Sequence, residues 1–264
     1  GTGFPAGAAS HNLQDAQQIG DGHMLTTQQL GKRNEITIFQ RETGRGGNEA
    51  TIFQDGEDNI SDVSQNSGGL AGGGLTTIDQ IGDFNEIDLN QGTFGTAHLD
   101  QTGDRNLIDV SQQKNGTSFA STAGTLTADQ TGNDNILTAN QENDVEATVN
   151  QTGNENNVDL FQKNLASNNG LTTATIDIGG DNNSFSVSQN TGGSNDVDVD
   201  IMGNDNGLTS TGAAGAIFQD GADNEATLDI TGNNNNFDIS QSGDMNISTN
   251  TQAGNGNTVS VSQQ

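Results

Sequence analysis

The sequence predicts an all-β fold, a two-sheeted β-solenoid (a stack of β-arches) of about ten rungs with two strands each, able to continue into a cross-β fibre. Three observations predict it. A unit of Gln-x-Gly-x-x-Asn, five further positions and a closing Gln recurs, its two glutamines eleven positions apart. Apolar residues alternate at period two inside each unit. Inserts between units fall almost entirely on every second link.

The first full copy is Gln29-Gly31-Asn34-Gln40, and others open at Gln54, Gln80, Gln101, Gln130, Gln151, Ile178, Gln219, Ile230, Gln241 and Gln252. Gln18-Gly20-His23-Gln29 is a variant with His in the Asn slot. The short links carry Gly31, Gly56, Gly82, Gly103, Gly132, Gly153, Gly180, Gly221, Gly232, Gly243 and Gly254. Glycine there permits the positive φ of a tight turn, and neighbouring Asp and Asn tolerate it. Each seven-residue stretch from Asn to Gln alternates, with Asn34, Ile36, Ile38 and Gln40 on one face and Glu35, Thr37 and Phe39 on the other. Alternating β-branched residues between glycine turns indicate half-buried strands.

Successive closing positions imply 21 strands. The links leaving positions 29, 54, 80, 101, 130, 151, 178, 230 and 252 all have the same length, that of the step from Gln29 to Gln40. Only the one leaving 201 is longer. The alternate links vary, from the short step between Gln91 and Gln101 to the long one between Gln112 and Gln130. They hold inserts such as Asn66–Gly74 and Gln113–Gly124. A chain that runs out along one sheet and back along another puts every second turn on the same edge. One edge is therefore expected to be tight and the other loop-bearing.

The inward amides are expected to stack as ladders, because an amide both donates and accepts. The expected stations are Gln29, Asn34, Gln40, Gln54, Asn59, Gln65, Gln80, Asn85, Gln91, Gln101, Asn106, Gln112, Gln130, Asn135, Gln141, Gln151, Asn156, Gln162, Asn183, Gln189, Asn235, Gln241, Asn246, Gln252, Asn257 and Gln263. No acid occupies any of them.

Composition narrows the function. Hydrophobic residues make up 28% of the chain and the net charge is -28, but the single proline and the regular placement of apolar residues argue against disorder. The acidic balance argues against nucleic acid and anionic membranes as partners, and no apolar run is long enough for a membrane-spanning helix. Zero cysteines remove disulfide and thiolate chemistry. The small, uncharged start resembles a mature N-terminus left by signal-peptide cleavage. Residues 1–11 read as a tail and 12–264 as one solenoid domain.

No catalytic, cofactor or metal site is expected. His11, His23 and His98 are scattered, and no carboxylate pair is singled out by position. Acidic turns such as Asp55-Gly56-Glu57-Asp58 also suit a monomeric calcium-binding β-roll or adhesin repeat, but the turn acids vary from copy to copy. An ice-binding solenoid would need a flat outward Thr array, whereas Glu35/Thr37, Asp109/Ser111 and Ser184/Ser186 are mixed. Outward Phe39, Phe53, Phe161 and Phe218 read as single exposed aromatics. Neither end carries a recognisable cap, so the solenoid is expected to add copies of itself head to tail by β-augmentation. All seven cations lie at or before Lys163, a polarity that favours the same arrangement.

These anchors resemble the curlin repeat family of biofilm amyloids, whose repeat is Ser, five residues, Gln-x-Gly-x-x-Asn-x-Ala, three residues, Gln. Gln54-Gly56-Asn59-Gln65 and Gln151-Gly153-Asn156-Gln162 share its spacing. Asn usually replaces the family's Ser, and Ile, Val or Leu often its Ala. The resemblance implies a non-enzymatic, cofactor-free fibre subunit of a Gram-negative bacterium, exported to the cell surface as biofilm matrix. The partners it implies are further copies of the chain, a nucleator subunit and an outer-membrane secretion channel.

Overall fold

The computed structural model describes residues 11–264 apart from 44–45, 69–72, 115–123, 165–170, 192, 194 and 208–214. Among the described residues there are 21 strands and no helix, from β1 (Leu13–Ile19) to β21 (Thr258–Gln263) in chain order. Odd-numbered strands form an eleven-stranded sheet and even-numbered strands a ten-stranded one, so each strand pairs with the next but one. The pairing is parallel, and the register sets glutamine beside glutamine, as in Gln40↔Gln65 and Gln141↔Gln162. Parallel neighbours need a crossover. Here the crossover is a strand of the opposite sheet. The fold is a two-sheeted β-solenoid, as the period and the alternation predict.

Both inner faces meet in a thin core. Ile36, Ile38, Ile87 and Leu89 of the first sheet and Ile52, Ile78 and Leu99 of the second are at most 2% exposed. Alternation decides this, because in a strand every second side chain points the same way. Phe185 and Phe237 are two strands apart in the first sheet, with ring centroids 5.8 Å apart and tilted by 57°. Gly215 lies between them, paired with Phe185, and a Cβ there would come within 2.9 Å of the Phe237 ring. One small residue thus makes room for two large ones.

The tight edge has one turn, repeated. Its glycine has φ near +120°, as at Gly103, Gly132 and Gly153, and the residue two places on is left-handed, as at Arg105, Asp134 and Glu155. The long link after Ile201 is no exception. Gly203 and Asp205 make the standard turn and Asn206 closes it, so the insert falls after Gly207 and precedes β17 (Gly215–Gly221). The turn itself is unchanged. Gly221, Gly243 and Asn246 belong to the opposite edge, between β17, β18 (Glu225–Thr231), β19 (Asn236–Ser242) and β20 (Ile247–Ala253). No helix among the described residues is long and apolar enough to cross a membrane.

Candidate functional site

In the first sheet one glutamine from each strand forms an unbroken file from Gln18 to Gln263. Each Nε2 donates to the next Oε1 at 2.7 to 3.0 Å, as in Gln40 to Gln65, Gln112 to Gln141 and Gln189 to Gln219. The second Nε2 proton crosses the core to a backbone carbonyl of the other sheet: Gln112 to Thr96 at 3.0 Å, Gln162 to Glu146 at 3.2 Å. One amide therefore ties coil to coil and sheet to sheet. Ser61 and Thr76 join in, each donating its hydroxyl to a glutamine Oε1 and accepting from another glutamine.

The second sheet behaves differently. Its file runs through Gln29, Gln54, Gln80, Gln101, Gln130 and Gln151. Buried Ile178, Ile201 and Ile230 then take the same station. Gln151 turns its Nε2 to the backbone oxygens of Ile136 and Asn156. Gln252, above Ile230, keeps a buried Oε1 without a partner.

Asparagine does a separate job at the tight edge. Its Oδ1 accepts the backbone N–H of the next asparagine, as in Asn135 to Asn106 and Asn156 to Asn135, both 3.1 Å. Its Nδ2 donates to the glycine carbonyl of the next turn, at 2.8 Å from Asn135 to Gly153. The expected side-chain ladder thus also bonds the main chain. Glycine is required twice over, since φ at Gly153 is +123° and a Cβ there would sit 1.9 Å from the Gly180 carbonyl oxygen. Gly31, Gly56, Gly82, Gly103, Gly132, Gly180 and Gly232 face the next turn in the same way.

A third row lies just outside. The residue after each turn glycine is mostly Asp or Asn, and its Oδ1 accepts the N–H of the same residue one coil back: Asp83 to Asp104, Asp104 to Asn133, Asn154 to Asp181. Only that oxygen is needed, so Asp and Asn exchange freely from copy to copy. One oxygen of each of these turn residues is thus occupied by neighbouring backbone.

Sequence reading missed Gly203, Asn204 and Asn206, which stand in these rows beside the predicted residues. The run Gly203-Asn204-Asp205-Asn206 carried the signal, but Ile201 before it and the insert after it hid the copy. On the loop-bearing edge Asn195, Asn224 and Asn246 stack likewise. His23 stands in for asparagine there: its Nδ1 accepts the Asn48 N–H at 3.1 Å and its Nε2 faces the Ile19 carbonyl at 3.0 Å. That pair of contacts selects the Nε2–H tautomer.

The outer faces differ. The mixed outward pairs read from the sequence all belong to the first sheet. In the second, threonine fills the central outward row in eight of ten strands, including Thr26, Thr51, Thr77, Thr127, Thr148 and Thr175, interrupted at His98 and Asp198. Beside it runs a row of acids, Asp79, Asp100 and Asp129, then Asp177, Asp200 and Asp229. Burial foremost raises the pKa of Asp79, Asp100 and Asp200; neighbouring acids add to it and His98 opposes it at the first two. In the first sheet burial, then Asp109 and Asp62, raise Asp88.

A raised carboxyl keeps protons in the folded chain that the unfolded chain releases, so stability rises as pH falls toward the ordinary carboxylate range. Asp58 and Asp134, held low by hydrogen bonds from Arg33 and Arg105, act oppositely, but only at still lower pH and as exposed, screened pairs. The thermal midpoint is expected to climb between pH 7 and about pH 5. A falling midpoint over that interval would contradict the assignment.

Among the described residues no strand pairs with the outer edge of β1 or β21. All of β1 is exposed, and Leu13 at one end and Ile247 near the other are 54% and 61% exposed. No curated protein matches the chain. A family model described as Curlin associated repeat matches residues 214–243, which hold β17, β18 and β19. Over these residues the chain therefore matches the family that its glutamine, glycine and asparagine spacing resembles.

Proposed function

We propose that this chain is the structural subunit of an extracellular, curli-like amyloid fibre that grows head to tail by β-strand augmentation. The observation that carries the reading is the glutamine file, which runs without a break from the first described strand to the last and ends on open edges. Its polarity suits growth. Each Nε2 donates toward the C-terminal end and each Oε1 accepts from the N-terminal side, so Gln263 offers a donor to a glutamine acceptor at the N-terminal end of another copy. Open-ended addition of identical faces gives a filament.

The fibre serves as biofilm matrix and adhesive scaffold at the surface of a Gram-negative bacterium. The chain has a mechanical role and no catalytic one. Its partners are copies of itself, with a nucleator subunit and an outer-membrane secretion channel acting before and during growth.

Negative-stain microscopy with fibre diffraction tests this. Unbranched filaments with a meridional reflection near about 4.8 Å are expected. A dispersed monomer at high concentration would end the fibre reading. If that monomer also lost its β signal in EDTA, the calcium-binding β-roll would replace it.

A further inference from the structure

The odd number of described strands constrains how copies join, given the head-to-tail reading above. Strands alternate between sheets, and the described ones both begin and end in the first sheet. If the next copy docked unturned, its β1 would lie on β21. Among the described residues the second sheet would then lack one strand between β20 and the next copy's β2 (Met24–Lys32). Backbone donors and acceptors on both sides of that gap would face each other without partners, which is costly away from water. Turning the next copy by half a revolution about the stack axis removes the gap. Its β1 then lies on β20, its β2 lies on β21, and both sheets continue with every strand paired.

The geometry points to this half-turn as the rule of assembly, with each copy's first sheet continuing as its neighbour's second. The terminal turns support it. The turn before β2 reads Gly20-Asp21-Gly22-His23 and the turn before β21 reads Gly254-Asn255-Gly256-Asn257. Both place glycine in the left-handed slot, with φ +78° at Gly22 and +70° at Gly256, where Arg33, Asp134 or Asn234 stand in other turns. Gly20 has φ +119°, the geometry of the tight-edge column, although it lies on the other edge. Gly254 tops that column, and a Cβ there meets nothing closer than 3.7 Å, whereas Gly232 below it already faces a carbonyl. The half-turn seats the next copy's Gly20 over Gly254 and its Asp21 over Asn255, in the row where such an oxygen accepts the N–H of the coil below.

The interior agrees. The half-turn sets Leu25 on Val259 and Gln14 over Ser248, so that Leu25, partly buried against one end of the core, meets an apolar partner. Unturned docking would set Gln14 on Val259 and bury an amide against a valine. The inserts agree as well. The links from 18 to 29, 219 to 230 and 241 to 252 on the loop-bearing edge match the tight-edge links in length, so the two edges are alike at the ends where a turned copy must fit.

Cysteine pairs test this, because the chain has no cysteine of its own. Register neighbours on adjacent strands lie about 5 Å apart, inside the disulfide range of about 4.4–6.8 Å. In a half-turn fibre Leu13 of one copy neighbours Ile247 of the last, and unturned it neighbours Thr258, on the opposite outer face. All three point outward and are exposed. Mildly oxidised fibres of Leu13→Cys/Ile247→Cys are expected to give a ladder of covalent multimers, and fibres of Leu13→Cys/Thr258→Cys to stay monomeric on a non-reducing gel. Loop density is expected to alternate sides, with an axial repeat of roughly 100 Å, about twice the length of one copy. Multimers from the second pair alone, or fibres that cross-link with neither, would overturn the half-turn and leave the fibre standing. Folded chains that never form fibres would remove both.

Discussion

Gly153→Ala is expected to cost the folded chain roughly 2–6 kcal/mol, combining about 1–3 for a side chain held at a forbidden φ with about 1–3 for overpacking. The added Cβ would sit 1.9 Å from the Gly180 carbonyl oxygen, and backbone on both sides is pinned by inter-coil hydrogen bonds, so neither can retreat. Gly256→Ala is the control. Nothing lies within 4 Å of its Cβ position, and its φ of +70° is one that other residues adopt in the same slot. About 1–2 kcal/mol is expected there. Urea midpoints compare the two, and equal losses would mean that the glycine column is a matter of turn conformation alone. Gly254→Ala separates folding from growth. Its neighbourhood is open in the single chain and covered once another copy docks, so filament growth should suffer more than the fold.

Gln112→Leu is expected to cost roughly 3–9 kcal/mol, because three partners lose their bonds at once and each buried orphan costs about 1–3. Gln91 loses its acceptor, and the Gln141 Oε1 and the Thr96 carbonyl lose their donor. Gln112→Glu keeps an acceptor for Gln91 but points a buried carboxylate at two oxygens. Its loss should be larger at neutral pH and partly recovered on acidification, when a protonated carboxyl can donate to Gln141. Thermal melts at pH 7 and pH 5 decide this. A variant whose deficit is the same at both would show that the station is open to water. The isoleucine run at 178, 201 and 230 gives the natural comparison. There the amides are removed together, and of the flanking pair Gln151 finds backbone partners while Gln252 keeps an unpaired oxygen.

Much of this was legible in the chain. One anchor position falls in each of the 21 strands, including the copies where Ile178, Ile201 and Ile230 replace glutamine. Alternation named Ile36 and Ile38 as inward, and both are buried. Less legible was the copy around Asn206. An insert beside a substituted anchor removes two marks of the repeat together, although the turn itself is intact. The roles of Asn and of the Asp-rich turns were also hidden. Asn106 Nδ2 donates to Gly132 and Asp104 N–H to Asn133, across 26 and 29 residues, distances that change with every insert.

By itself, then, the sequence determined the strand count, the alternation of faces along the strands and the edge that carries inserts. All are local quantities, because period and alternation act over a few residues of one strand. The tertiary structure decided which rows lie side by side: the threonine and aspartate rows of the second sheet, the unbroken glutamine file of the first, and the mismatch of eleven strands against ten. Those depend on two sheets closing around a shared core, where residues some 21 to 30 positions apart become neighbours through hydrogen bonds that no local pattern records.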